Sequence, residues 1–68
     1  MKRTIRDFAI RIFKSKSYLE MTKSELELIY KLVKRRDKVF LDAIFDVSYD
    51  ETNIETLLEV LSFRLRRV

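Results

Sequence analysis

Apolar residues recur along this chain at helical spacing in three blocks separated by polar connectors. In the first block Ile5, Phe8, Ala9, Ile12 and Phe13 follow the i, i+3, i+4, i+7, i+8 rule of a helix with one buried face, which predicts a helix over about 5–15. Thr4 stands where an N-cap is needed, with Asp7 three residues on as its capping-box partner. Arg6, Arg11 and Lys14 make the outer face basic. Phe8, Ile10 and Ile12 also alternate with period two, so a short N-terminal strand of the kind that pairs in a DNA major groove is an alternative. The helical register explains Ala9 and Phe13 as well, and the strand does not.

The second block, Thr22 to Asp46, contains no helix breaker. Thr22 with Glu25 is a capping box. At 100° per residue, Leu26, Ile29, Tyr30, Val33, Phe40, Leu41 and Ile44 form one wide stripe, and Leu28, Leu32, Val39 and Ala43 a second, narrower one. Glu27, Lys31, Lys34, Arg35, Lys38 and Asp42 occupy the remaining face. A helix apolar on two sides is usually covered on two sides, so the second stripe asks for another molecule. Asp37 falls inside the wide stripe, where an unpaired carboxylate is costly. Three readings stay open: a break or kink around Lys34–Lys38 that turns Asp37 to water, a pairing with an arginine from another helix or chain, or a functional acid.

In the third block Ile54, Leu57, Leu58, Leu61, Leu65 and Val68 form a continuous stripe over about 53–67. Its start is set either by Ser48 with Glu51 or by Thr52 with Glu55. Val60 and Phe63 fall away from the stripe, and Phe63 is the most conspicuous candidate for an exposed aromatic that meets another chain. Of the connectors, Ser15–Ser17 is polar, while Tyr18, Leu19 and Met21 are expected to tuck into the core. Met1 to Arg3 is expected to be a loose basic end.

Composition sharpens this picture. Sixty-eight residues allow one domain, and with neither Cys nor His no disulfide or zinc site can staple it. Absence of Gly and Pro argues against tight hairpins and for helices joined by polar turns. The hydrophobic share, 47%, is too high for a disordered chain. Lys2 and Arg3 could open a signal peptide, but Arg6, Asp7 and Arg11 interrupt any hydrophobic region, and no run reaches transmembrane length. The expected compartment is the cytoplasm, and membrane binding is not expected.

Catalysis has little to draw on. The usual general base, thiol nucleophile and transition-metal ligands are missing, and no glycine loop can cradle phosphates. Asp46, Asp50 and Glu51 are close in sequence but too few for a calcium loop. No enzyme activity and no cofactor are expected. The net charge of +4 favours acidic partners. Lys34, Arg35, Arg36 and Lys38, and further on Arg64, Arg66 and Arg67, could neutralise phosphates. In a continuous helix Lys34, Arg35 and Lys38 project together while Arg36 turns toward the apolar flank. No helix carries the Asn, Gln and Arg spacing that reads base edges.

The string Glu20-Met21-Thr22-Lys23-Ser24-Glu25-Leu26-Glu27-Leu28-Ile29-Tyr30 resembles part of the Hha/YmoA family of small helical gene-expression modulators. That family shows a similar acid, apolar residue, hydroxyl, then Glu-Leu and a tyrosine at matching spacing. Thr4-Ile5, Lys14, Lys16 and Tyr18 fit the stretch before it if a two-residue insertion is allowed, and Arg36 and Ile44-Phe45-Asp46 fit less closely. The likeness covers about two-thirds of the chain. The family's acid four positions after the tyrosine is Lys34 here, its usual first helix is missing, and its tryptophan-bearing aromatic C-terminus is replaced by a Leu/Arg helix. The resemblance implies a protein that modulates transcription by docking on a nucleoid-associated partner of the H-NS type, with Lys34 altering the docking chemistry.

The expected fold is all-α, a small three-helix domain with a long central helix over about 23–46, either continuous or kinked near 35–38, and a dimeric or partner-bound state. The expected role is a regulatory adaptor whose partner-facing residues are Leu28, Leu32, Val39, Ala43, Phe63 and Asp37. Direct dimeric nucleic-acid binding, or inhibition of a host enzyme by a mobile-element product, are the alternatives.

Overall fold

Thr4 accepts the Asp7 amide on its hydroxyl oxygen at 3.1 Å, and the Asp7 carboxylate accepts the Thr4 amide at 3.2 Å. Behind this closed capping box runs α1, Ile5–Ser15. The computed structural model describes residues 4–68, so the basic end expected at Met1 to Arg3 lies outside the described residues. Thr22 and Glu25 close a second box at the start of α2, Lys23–Lys34. Glu25 also takes the Lys16 ammonium at 2.9 Å, which ties the connector after α1 to the cap of α2.

The expected helix over 23–46 is two helices, and the described residues form four helices rather than three. α2 stops at Lys34 in a Schellman arrangement. The Arg36 amide donates to the Val33 carbonyl at 2.9 Å and the Asp37 amide to that of Leu32 at 3.1 Å. Arg36, at φ 53°, takes the left-handed position that a glycine usually fills. Asp37 then caps α3, Lys38–Ile44, by accepting the Phe40 amide at 3.0 Å. The Arg6 Nε of α1 lies 3.0 and 3.1 Å from its two carboxylate oxygens. The break thus combines two of the sequence expectations, an interruption near residue 37 and an arginine from another helix. Its physical reason is that a carboxylate in the middle of an apolar stripe would be buried without donors, whereas at the N-cap it gains an amide and a guanidinium. Asp37 does not point to water: its side chain is only 7% exposed.

α4, Glu51–Leu65, begins behind a third box, Asp50 with Asn53, midway between the two expected caps, two residues after Ser48 and two before Thr52. The loop before it is closed by Tyr49, whose hydroxyl donates to Asp42 at 2.7 Å while its ring stacks on Phe45. α1 packs on α2 and α3, and α2 also packs on α3 and α4. The core is filled by Ala9 and Ile12 of α1, Met21 of the first connector, Leu26, Ile29, Leu32 and Val33 of α2, Phe40 and Leu41 of α3, and Ile54, Leu57 and Leu61 of α4. Phe13 meets Phe40 and Tyr18 edge-on, joining α1 to α3 and to the first connector.

One alternative is not realised and one smaller expectation is corrected. No strand forms among the described residues, and Phe8, Ile10 and Ile12 belong to α1. Leu19 is not tucked in. The Glu20 amide donates to the Ser17 carbonyl at 3.0 Å and the Glu20 carboxylate accepts the Ser17 amide at 2.9 Å. This turn directs Tyr18 and Met21 inward and leaves Leu19 at the tip, 77% exposed. Among the described residues no helix is long and apolar enough to cross a membrane.

Candidate protein-binding surface

The second stripe of the central stretch is largely closed by the chain itself. Leu32 is in the core, 3% exposed, and Leu28 and Ala43 are half-buried. Only Val39 stays outside. The reason is positional: α2 is packed by α1, α3 and α4, and the break at Arg36 gives Val39 and Ala43 a different orientation from the one a straight helix would impose. Leu32 is therefore not a partner-facing residue. Asp37 is not one either, being enclosed by its cap and Arg6. Its carboxyl is held below the ordinary carboxylate range, first by the Phe40 amide and then by Arg6 and Arg35.

Uncovered apolar surface lies elsewhere. Among the described residues α4 makes helix–helix contact with α2 alone, and no other helix covers its far side. Phe63, 56% exposed, stands on that side with Val60, and Leu19 at the turn tip lies beside them. The ring forms a ridge between two hollows. One is lined by Tyr18, Leu19, Glu59, Val60 and Arg64, the other by Leu58, Glu59, Ser62 and Arg66. The connector is fastened in this position by the Arg64 Nε, which donates to the Tyr18 carbonyl at 3.3 Å. Arg67 lies over the Phe63 ring with its guanidinium carbon 4.6 Å from the centroid.

No family model, curated protein or solved structure matches the chain. The residues alone must carry the reading.

A second apolar patch begins α1. Ile5, 69% exposed, and Phe8, 54% exposed, share a shallow hollow with Thr4, Asp7 and Arg11. The i, i+3 pattern placed both residues on the buried face of α1, and the packing reaches only Ala9, Ile12 and their neighbours. Leu19 and the Ile5–Phe8 pair were thus missed as surface residues. The turn-forming Ser17 and Glu20 on either side of Leu19 were the available signal for the first. For the second there was none.

The basic clusters are mostly engaged within the chain. Arg35 lies 3.5 Å from Asp37, Lys38 pairs with Asp42 at 3.7 Å, and Arg36 pairs with Glu51 while donating to the Lys34 carbonyl. Arg36 does not lie on an apolar flank as a straight helix would require. Lys34 lies over the Tyr30 ring. The Tyr30 phenol is lowered from its ordinary value by a hydrogen bond to Ser62 and then by Lys34. In the second cluster Arg64 is committed to Tyr18 and Arg67 to Phe63, leaving Arg66 as an exposed cation. Exposed pairs of this sort are weak and can open, yet each carboxylate cancels the field that would attract a phosphate. Among the described residues no group of Asp and Glu is arranged to hold a metal ion.

Proposed function

We propose that the chain is a non-enzymatic regulatory adaptor that binds protein through exposed apolar surface and modulates transcription on a nucleoid protein–DNA complex. The observation that carries the protein-binding part is apolar surface left open in two places among the described residues, Ile5 with Phe8 at the start of α1 and Phe63 with Val60 and Leu19 on α4, around a closed core. Aromatic and aliphatic side chains gathered outside a small core are the usual anchors of protein interfaces. The internal pairing of Arg35, Arg36 and Lys38 argues against phosphate contact as the main role. The nucleoid partner rests on the Hha/YmoA resemblance of Glu20 to Tyr30.

The test is a binding titration of the whole chain against a purified nucleoid protein of the H-NS type and, separately, against random-sequence duplex over a range of salt. The adaptor reading expects a complex with the protein, weakened by Phe8→Ser, and no binding to bare duplex at the micromolar affinities of nonspecific DNA-binding proteins. Micromolar binding to duplex with a steep salt dependence would overturn it in favour of a direct nucleic-acid binder.

A further inference from the structure

We propose that the uncovered side of α4 is occupied by a second copy of this chain, the two α4 helices lying antiparallel about a two-fold axis between Val60 and Phe63. This deepens the adaptor reading and rests on it in one respect: it assigns this patch to self-association and leaves Ile5 and Phe8 for a different protein.

Charge chooses the occupant and its direction. Glu55 and Glu59 lie before Val60 on α4, and Arg64, Arg66 and Arg67 after Phe63, while Glu51 is already paired with Arg36. A parallel second copy would set like charges against like. An antiparallel copy sets each acidic half against a basic half, twice by symmetry, and opposes the helix dipoles. With Phe63 level with Val60 of the second copy, Glu59 faces Arg64, and Thr56 faces Arg67.

Shape agrees with charge. Phe63 is a ridge with a hollow on either side, so each copy offers one ring and one recess to receive the other's. That is the self-complementarity an isologous interface requires. On the same side, one turn before Val60, Thr56 has already satisfied its hydroxyl by donating to the Thr52 carbonyl at 2.9 Å, so covering it leaves no orphan donor. Leu19 extends the apolar surface past the edge of the helix.

The surface is small. A helix of this length spans about 22 Å, which with Leu19 falls short of a standard interface of roughly 800 Å² per partner, so the expected Kd is on the order of 10–100 µM.

Sedimentation equilibrium of the full chain from about 5 to 500 µM brackets that range. A reversible monomer–dimer equilibrium is expected, with Phe63→Ser weakening it at least about tenfold, equivalent to about 1.4 kcal/mol, while its helical circular dichroism is unchanged. A strict monomer throughout, or a dimer indifferent to Phe63→Ser, overturns the proposal. Direction is read by cross-linking, which the absence of cysteine makes clean. Thr56→Cys and Arg67→Cys chains should link to each other when mixed and oxidised, and neither should link to itself. Self-linking of Arg67→Cys would mean a parallel pair and overturn the geometry. The adaptor reading is tested apart from this one, because the monomeric Phe63→Ser chain should still bind the nucleoid protein. Failure there, with the wild-type dimer intact, sinks the adaptor and not the dimer.

Discussion

α2 and α4 begin from the same condition, apolar residues on more than one side, and end in opposite ones. On α2 the second side is absorbed, with Leu32 in the core and Leu28 half-buried. On α4 it stays outside at Val60 and Phe63. The two helices pack against each other, so the difference lies in their other neighbours: α2 has α1 and α3, and α4 has no other helix among the described residues. The breadth of an apolar face says how much cover a helix needs. Its place in the bundle says whether the chain itself supplies that cover.

The comparison can be broken most directly at Leu32. Leu32→Ala should cost about 2–5 kcal/mol in urea unfolding, the usual penalty for emptying a core site, out of a total that for a domain this small is on the order of 5 kcal/mol. If the loss is no larger than that of Phe63→Ser, the two helices do not differ in the way described. Next in size is Asp37→Ala, which strips an amide acceptor from Phe40 and a partner from Arg6. A fall in Tm of roughly 5–15 °C at pH 7 is expected, with Arg6→Met showing a smaller fall of the same sign.

The same carboxylate gives a pH signature. Its proton affinity is lower in the folded chain than in the unfolded one, because the Phe40 amide, Arg6 and Arg35 all favour the charged form. Its contribution is therefore fully present above the unfolded pKa of about 3.9 and fades as pH falls through the folded value. Glu25 is shifted in the same direction by the Thr22 amide and Lys16. The stability gap between wild type and Asp37→Ala should accordingly narrow from about pH 5 to about pH 2. A gap that widens toward acid would contradict the pairing.

Smaller effects sharpen the contrast. Arg36→Gly relieves a left-handed residue and loses two exposed contacts, the pair with Glu51 and the bond to the Lys34 carbonyl, so thermal melts should shift upward by a few degrees. A drop would mean that the Glu51 contact, rather than the helix break, holds Arg36 in place. At concentrations where the chain is monomeric, Phe63→Ser should change unfolding free energy by no more than about 0.5 kcal/mol. A larger loss would put Phe63 inside the fold and remove it from the surface.

Capping was the most legible part of the structure. Thr4 with Asp7 and Thr22 with Glu25 are reciprocal local bonds, complete within four residues, and both are formed where the pattern placed them. The Asp50–Asn53 box used the same geometry with an Asn in place of Glu, which is why the start of α4 was misplaced. The break at Arg36 was only half legible. Asp37 was visibly misfit in its stripe, but no glycine marked the left-handed position, and the compensating guanidinium lies thirty-one residues away on α1. For the surface, Phe63 stood out because it left its helix's stripe, whereas Ile5 and Phe8 kept to theirs and are nonetheless exposed.

Helix type, two of the three capping boxes and most of the core apart from Leu32 followed from the chain read by itself, because each depends on residues within a turn or two of one another. Which apolar faces are covered did not, nor did the split between α2 and α3. Both depend on what arrives from distant segments, and only packing brings Arg6 to Asp37 while leaving α4 with a single neighbour.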